Sequence, residues 1–124
     1  MIFNNFQIYQ MADSLIGLFD NKDIYIPVKA NFIMQKNIQV IVAAAREIDK
    51  ARLDVLKHYG KHNEGSNSYT IPADLISEAE EEFNNLFNIE QDLPIKTLDI
   101  EAFGNVEFSP AQMNAIMFMI EEEG

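Results

Sequence analysis

Apolar residues recur at helical spacing over most of the chain and give way to strand-like runs only in its last third. The first helix is expected from Asn4 or Asn5, either of which can cap free backbone N–H groups, to about Phe19. Phe6, Ala12, Leu15, Ile16 and Phe19 form its apolar stripe. Asp20-Asn21-Lys22-Asp23 reads as a turn, because short polar side chains satisfy nearby backbone groups. Pro27 then stands where a helix tolerates proline best, its first turn. Met34, Ile38, Ile41, Ala45, Ile48, Val55 and Tyr59 continue one apolar face behind it, interrupted by Arg52. Gly60 is placed to end this second helix through a left-handed residue, and Lys57 and His58 suit the negative end of its dipole.

Lys61 to Ser68 is polar and without periodicity, which predicts a mobile hairpin loop. A third helix starts near Pro72, with Leu75, Ile76, Ala79, Phe83, Leu86 and Phe87 on one face and Glu78, Glu80, Glu81 and Glu82 on the others. It should run antiparallel to the second. Leu93 to Ile100 reads as a strand and Val106-Glu107-Phe108, after Gly104, as a second, together a small hairpin. Ser109-Pro110-Ala111-Gln112 combines a capping serine, a first-turn proline and a glutamine that can reach back to the cap. The closing helix presents Met113, Ile116, Met117 and Ile120 inward, and Glu121-Glu122-Glu123, at the unfavourable end of its dipole, should fray. The expected fold is α+β and mainly helical, one domain over residues 1–124. A long α-hairpin carries a small antiparallel β-hairpin and a C-terminal helix.

Length adds a constraint. An unbroken helix from Pro27 to Tyr59 spans roughly 50 Å, whereas a compact chain of 124 residues has a radius of gyration of about 14 Å. Ile38 to Ala45 is moreover apolar almost all the way round, and such a helix is normally buried on more than one side. Either the other three helices enclose it alone, or a homo-oligomer forms with Ile38, Ile41, Val42 and Ala45 at the contact; the second is the expectation taken forward. Phe118 and Met119 fall off the main stripe of the last helix, so they mark a second surface for a partner. The methionines at 34, 113, 117 and 119 are read chiefly as core filler, an adaptable recognition surface being the other use of thioether side chains.

Charge divides the chain. Residues 1–63 hold 6 acidic and 8 basic side chains, net +2, and residues 64–124 hold 14 acidic and 1 basic, net −13, giving −11 for the whole. The acidic half can be a solvated face, can dock through Glu78, Glu81 and Glu82 on a basic host or phage protein, or can meet the milder half of another subunit. Direct binding to nucleic acid is disfavoured, since that needs clustered Lys and Arg.

Chemistry is sparse. No nucleophile and base can be paired, and no glycine-rich loop exists to hold phosphates, so no catalytic, cofactor-binding or metal site is expected. His58 and His62 have metal-ligand spacing, but Gly60 between them breaks the helix and they read as solvated. Glu78 with Glu82 reads as an exposed helical face in preference to an acid–base pair. With no cysteine there is no disulfide framework, which fits a reducing compartment. The longest apolar run, Val40 to Ala45, is far short of the roughly 20 residues that cross a bilayer, and Met1 to Phe6 lacks the features of a secretory signal, so a cytoplasmic protein without a membrane partner is expected.

The order of features carries a resemblance. A leading helix, Ile26-Pro27-Val28-Lys29 opening a long one, Arg52, Leu56-Lys57 and Tyr59-Gly60, a polar loop, an acidic helix with Glu82-Phe83 and Leu86-Phe87, then Glu90, Leu93, Ile95, Leu98 and a closing helix from Ser109 to Ile120 resemble small proteins of tailed bacteriophages. The resemblance covers most of the chain and supplies no catalytic residues. It implies expression in an infected bacterium. Two functions are expected from the whole: a non-enzymatic phage accessory or virion-assembly protein acting through protein contacts, or an acidic inhibitor of a host nucleic-acid-binding defence protein, in the manner of an anti-CRISPR nucleic-acid mimic.

Overall fold

A computed structural model describes residues 1–20 and 24–121. The chain is α+β and mainly helical. Strand β1 (Ile2–Asn4) leads into helix α1 (Asn5–Leu15), and α2 (Val28–Tyr59) follows. A hairpin of β2 (Lys61–His62) and β3 (Tyr69–Thr70) connects it to α3 (Ile76–Phe87), after which come β4 (Glu90–Asp92) and α4 (Pro110–Ile116).

Local signals explain the helix starts. The Asn4 side chain accepts from Gln7 N at 2.7 Å while Gln7 Oε1 accepts from Asn4 N at 2.9 Å, a reciprocal cap. Ser109 and Gln112 do the same for α4. Helix α1 stops at Leu15, short of Phe19, because Gly17 turns the chain at a φ of 75°. Its buried positions are Asn5, Ile8, Ala12 and Leu15, so Ala12 and Leu15 of the expected stripe are buried while Phe6 and Ile16 are exposed.

Helix α2 is unbroken over 32 residues, about 48 Å. Gly60 ends it in an extended conformation, not the left-handed one expected, with φ at −99°. Glycine is required for space instead: a Cβ there would lie 2.6 Å from Leu56 O and 3.1 Å from Tyr69 Cβ. Helix α3 runs back along α2. Its Glu78 to Glu82 stretch lies by Tyr59, and its Phe87 stacks edge-on against Tyr9, whose hydroxyl donates to Asp49 at 3.2 Å.

The strands lie elsewhere than expected. Residues 61–68, expected to be a mobile hairpin loop, hold strand β2 and the turn that leads to β3, where Asn63 Nδ2 donates to Ser68 Oγ and Thr70 Oγ1 to Asn63 Oδ1, both at 2.9 Å. The second sheet pairs β1 with β4, Phe3 opposite Gln91. Leu93 to Ile100 and Val106 to Phe108 do not pair with each other. Pro94 has no N–H to give, and the backbone of Lys96 is taken by a side chain: Asn37 Nδ2 donates to Lys96 O at 2.8 Å and Lys96 N donates to Asn37 Oδ1 at 3.0 Å. Leu98 then forms a parallel bridge with Ile120, its N–H donating to Met119 O and its carbonyl accepting from Glu121 N. Residues Ile100–Phe103 close into a 3-10 turn capped by Asp99.

The last helix also departs from expectation. After Ile116 it tightens to a 3-10 turn over Met117–Met119. With about 3.0 residues per turn in place of 3.6, Met119 rotates into the core and Met117, expected inside, is exposed. The core joins Ile8, Leu15, Met34, Ile41, Ile48, Leu98, Phe103, Ile116 and Met119. The expected turn at residues 20–23 and the glutamate tail fall mostly outside the described residues.

Asn37 is buried, and replacing it by leucine strips Lys96 of both side-chain partners. Asn37→Leu should cost about 1–3 kcal/mol, read as a fall of several degrees in Tm and faster hydrogen exchange at the Lys96 amide. Gln39→Ala, one exposed position away, should stay within about 0.5 kcal/mol of the parent. Equal behaviour of the two variants would contradict the anchoring role of Asn37.

Candidate functional site: a basic, apolar groove on the long helix

From Ile24 to Arg46 the chain contains no acidic residue, while Lys29, Lys36 and Arg46 supply three positive charges. This stretch forms the first half of α2, whose inward row, Ala30, Met34, Asn37, Ile41 and Ala44, is buried. The outward row is not covered. Val28 is 77% exposed and Phe32 61%, one turn apart, and Tyr25 just before the helix is 79% exposed. Exposed apolar residues grouped in this way mark contact surfaces more often than isolated ones do.

Beside that row lies an open groove of about 540 Å³. Phe32, Ile33, Lys36, Val40 and Ala43 form its helical side, and Pro94 and Lys96 form its other wall. Lys36 Nζ sits 5.2 Å from the centre of the Phe32 ring, which fixes a cation over an aromatic face at the rim. Lys96 is the one lysine or arginine after Lys61, and the Asn37 hydrogen bonds bring its backbone to the groove that Lys36 also lines. The groove lining therefore carries two positive charges and no carboxylate. The helix end adds to this field. Pro27 offers no side-chain cap and the first turn holds no acid, so the free N–H groups and Lys29 leave the positive end of the dipole uncompensated.

The residues proposed from sequence do not converge. Ile41 and Met119 are fully buried in the core and cannot touch a partner, because the chain folds its own 93–98 segment and its C-terminal turn over that side of α2. Ile38 is half-buried against the same core. Val42 and Ala45 come together, lining a smaller cleft of about 280 Å³ between α1 and α2 with Tyr9 and Ile16. Phe118 is half-buried, edge-on to Phe3 with ring centres 6.2 Å apart. The apolar belt is thus enclosed on one side and open on the other, where Ala43 is exposed and Val40 half-covered.

Glu78, Glu81 and Glu82 do gather. All three are exposed, and they lie near enough to Tyr59 for their charges to act on its hydroxyl. Loss of solvent first, and then the fields of Glu82, Glu78 and Glu81, raise the Tyr59 pKa above its ordinary 10.0. Among the described residues none of the α3 glutamates is in an ion pair. His58 and His62 are exposed and stack on Tyr59 and Tyr69. No group of three metal-ligating side chains occurs among the described residues, and no described helix is long and apolar enough to cross a membrane.

Phe32, Lys36, Asn37 and Lys96 were missed by the sequence reading. The absence of any acid over Ile24 to Arg46 was the available signal for the lysines, and an asparagine between Met34 and Ile41 on an apolar face was the signal for Asn37. No family model, curated protein or solved structure matches the chain.

A raised tyrosine pKa favours the protonated folded state, so its contribution is whole below pH 10.0 and is lost as pH climbs through the folded value. Neutralising Glu78, Glu81 and Glu82 to glutamine should lower the Tyr59 titration midpoint, seen by NMR of ring-labelled tyrosine, without restoring it fully, since solvent loss is the leading cause. A midpoint unmoved by the triple change would place the glutamates away from this ring.

Proposed function

We propose that this chain is a non-enzymatic accessory or virion-assembly protein of a tailed bacteriophage that works by holding other protein chains, itself included, in the cytoplasm of an infected bacterium or in the virion. The order of sequence features that resembles such proteins supports the phage setting. One observation carries the docking reading: Val28 and Phe32 stand exposed one turn apart on α2, and Phe32 lines a groove with an apolar side and lysines at its rim. Leaving large apolar side chains in water forgoes about 1.5–3 kcal/mol for each one that could be buried. A partner surface recovers that energy. The contact lies on the outer face of α2, displaced from the inward-facing Ile41.

Affinity capture from infected cells, with mass-spectrometric identification, tests this. Val28→Glu together with Phe32→Glu should release the chains retained by the parent protein while leaving Tm within about 2 °C, because both side chains are exposed. Equal retention by parent and variant would reject the docking surface.

A second reading draws on the exposed, unpaired glutamates of α3. They suit a basic surface of a host nucleic-acid-binding defence protein, which the chain would inhibit by imitating a phosphate backbone. Binding to such a protein should weaken with salt and with Glu78→Gln, Glu81→Gln and Glu82→Gln combined. Unchanged binding after that replacement counts against mimicry.

A further inference from the structure

We infer that the occupant of the α2 groove is the acidic face of α3 from a second copy of this chain, so that copies join head to tail; this rests on reading the groove as a protein-docking surface. Charge complementarity is the first ground. The groove lining holds Lys36 and Lys96 and, among the described residues, no carboxylate, and Lys29 stands one turn before Phe32 on α2. Helix α3 holds Glu78, Glu80, Glu81 and Glu82, all exposed, and no base occurs from Glu64 to Ile95. Each surface lacks what the other has.

Distance is the second ground. Within one copy, α3 lies by the last turn of α2 at Tyr59, whereas the groove ends at Ala43. Sixteen residues of helix separate the two, roughly 24 Å. At physiological ionic strength charges are screened over about 8 Å, so the two surfaces cannot neutralise each other inside one molecule. A neighbouring copy can bring them together. Ile76 is 42% exposed and lies one turn before Glu80 on the same face, which gives the acidic row an apolar end to set against Phe32 and Val40.

The contact joins two different surfaces, so each copy keeps one free groove and one free acidic face. Repetition therefore builds a ring if the rotation closes and an open chain if it does not. A symmetric dimer through the groove alone would set its lysines against the same lysines of the other copy.

Sedimentation velocity on the purified chain, with two charge-reversed variants, decides the matter. One variant carries Lys29→Glu, Lys36→Glu and Lys96→Glu; the other carries Glu78→Lys, Glu80→Lys, Glu81→Lys and Glu82→Lys. The parent should associate beyond the 14.2 kDa monomer as concentration rises. Each variant alone should bind itself at least about 100-fold more weakly, since it opposes like charges. Mixing the two should restore association, because each groove then meets an α3 of opposite sign. Circular dichroism confirms that both variants are folded. A parent that stays monomeric to its solubility limit overturns the second copy as occupant, as does association that ignores both variants or a mixture that stays dissociated. None of these touches the broader docking reading, which fails separately if the Val28 and Phe32 variant retains the same chains from infected cells.

Discussion

The amide of Asn37 holds the later half of the chain on the long helix. A segment crossing a helix cannot pair with the helix backbone, whose N–H and C=O groups are already bonded to each other. Only a side chain with both a donor and an acceptor can satisfy an extended residue there, and asparagine carries the two on separate atoms of one short amide. Asn37 meets the Lys96 N–H and carbonyl together. Once Lys96 is fixed, Leu98 lies where it can bridge to Met119, Ile120 and Glu121, and the last turn folds over Ile41 and Met34. A leucine at 37 would pack as well but leave both backbone groups of Lys96 without that partner.

This anchoring decides which side of α2 is covered. The chain has α1, α3, the 93–98 segment and the C-terminal turns with which to enclose a rod of about 48 Å. They lie along its inward row, and α3 lies toward the Tyr59 end. Among the described residues nothing covers Val28 and Phe32 of the outward row. The apolar belt from Ile38 to Ala45 is enclosed at Ile41 and Ala44, half-covered at Val40 and exposed at Ala43.

What could be read from sequence was local. The caps at Asn4 and Ser109 and the long periodicity behind Pro27 each depend on residues within a few positions, and each helix starts where those signals put it. Strand pairing was not legible because it is non-local. Residues 90–92 find their partner at 2–4, and 96 spends its backbone on a helix side chain, neither of which an alternation pattern records. The stripe of α1 held at Ala12 and Leu15 but failed at its edges for a different reason: Phe6 and Ile16 are more hydrophobic than Asn5, yet Asn5 is the buried one, donating to Leu86 O at 2.9 Å and accepting from Gln91 at 2.7 Å. A buried, fully paired amide looks like a surface residue in a sequence.

The positions that break local rules fall together. Helices α1 and α4 have reciprocal side-chain caps, whereas α3 and α2, the longest, have none. Its first turn carries Lys29 where an acid would be favoured by up to about 1 kcal/mol. Val28 and Phe32 face water one turn apart on the same side of the helix. Each choice is unfavourable or neutral for the isolated fold. Scattered, they would be ordinary irregularities, but they occupy one surface over the first three turns of one helix, and conflicts between local preference and structure concentrate where a protein meets something else. Acidic groups on a partner would answer the free helix end and the lysines, and apolar groups would cover the exposed row, so a single docked surface resolves every conflict at once.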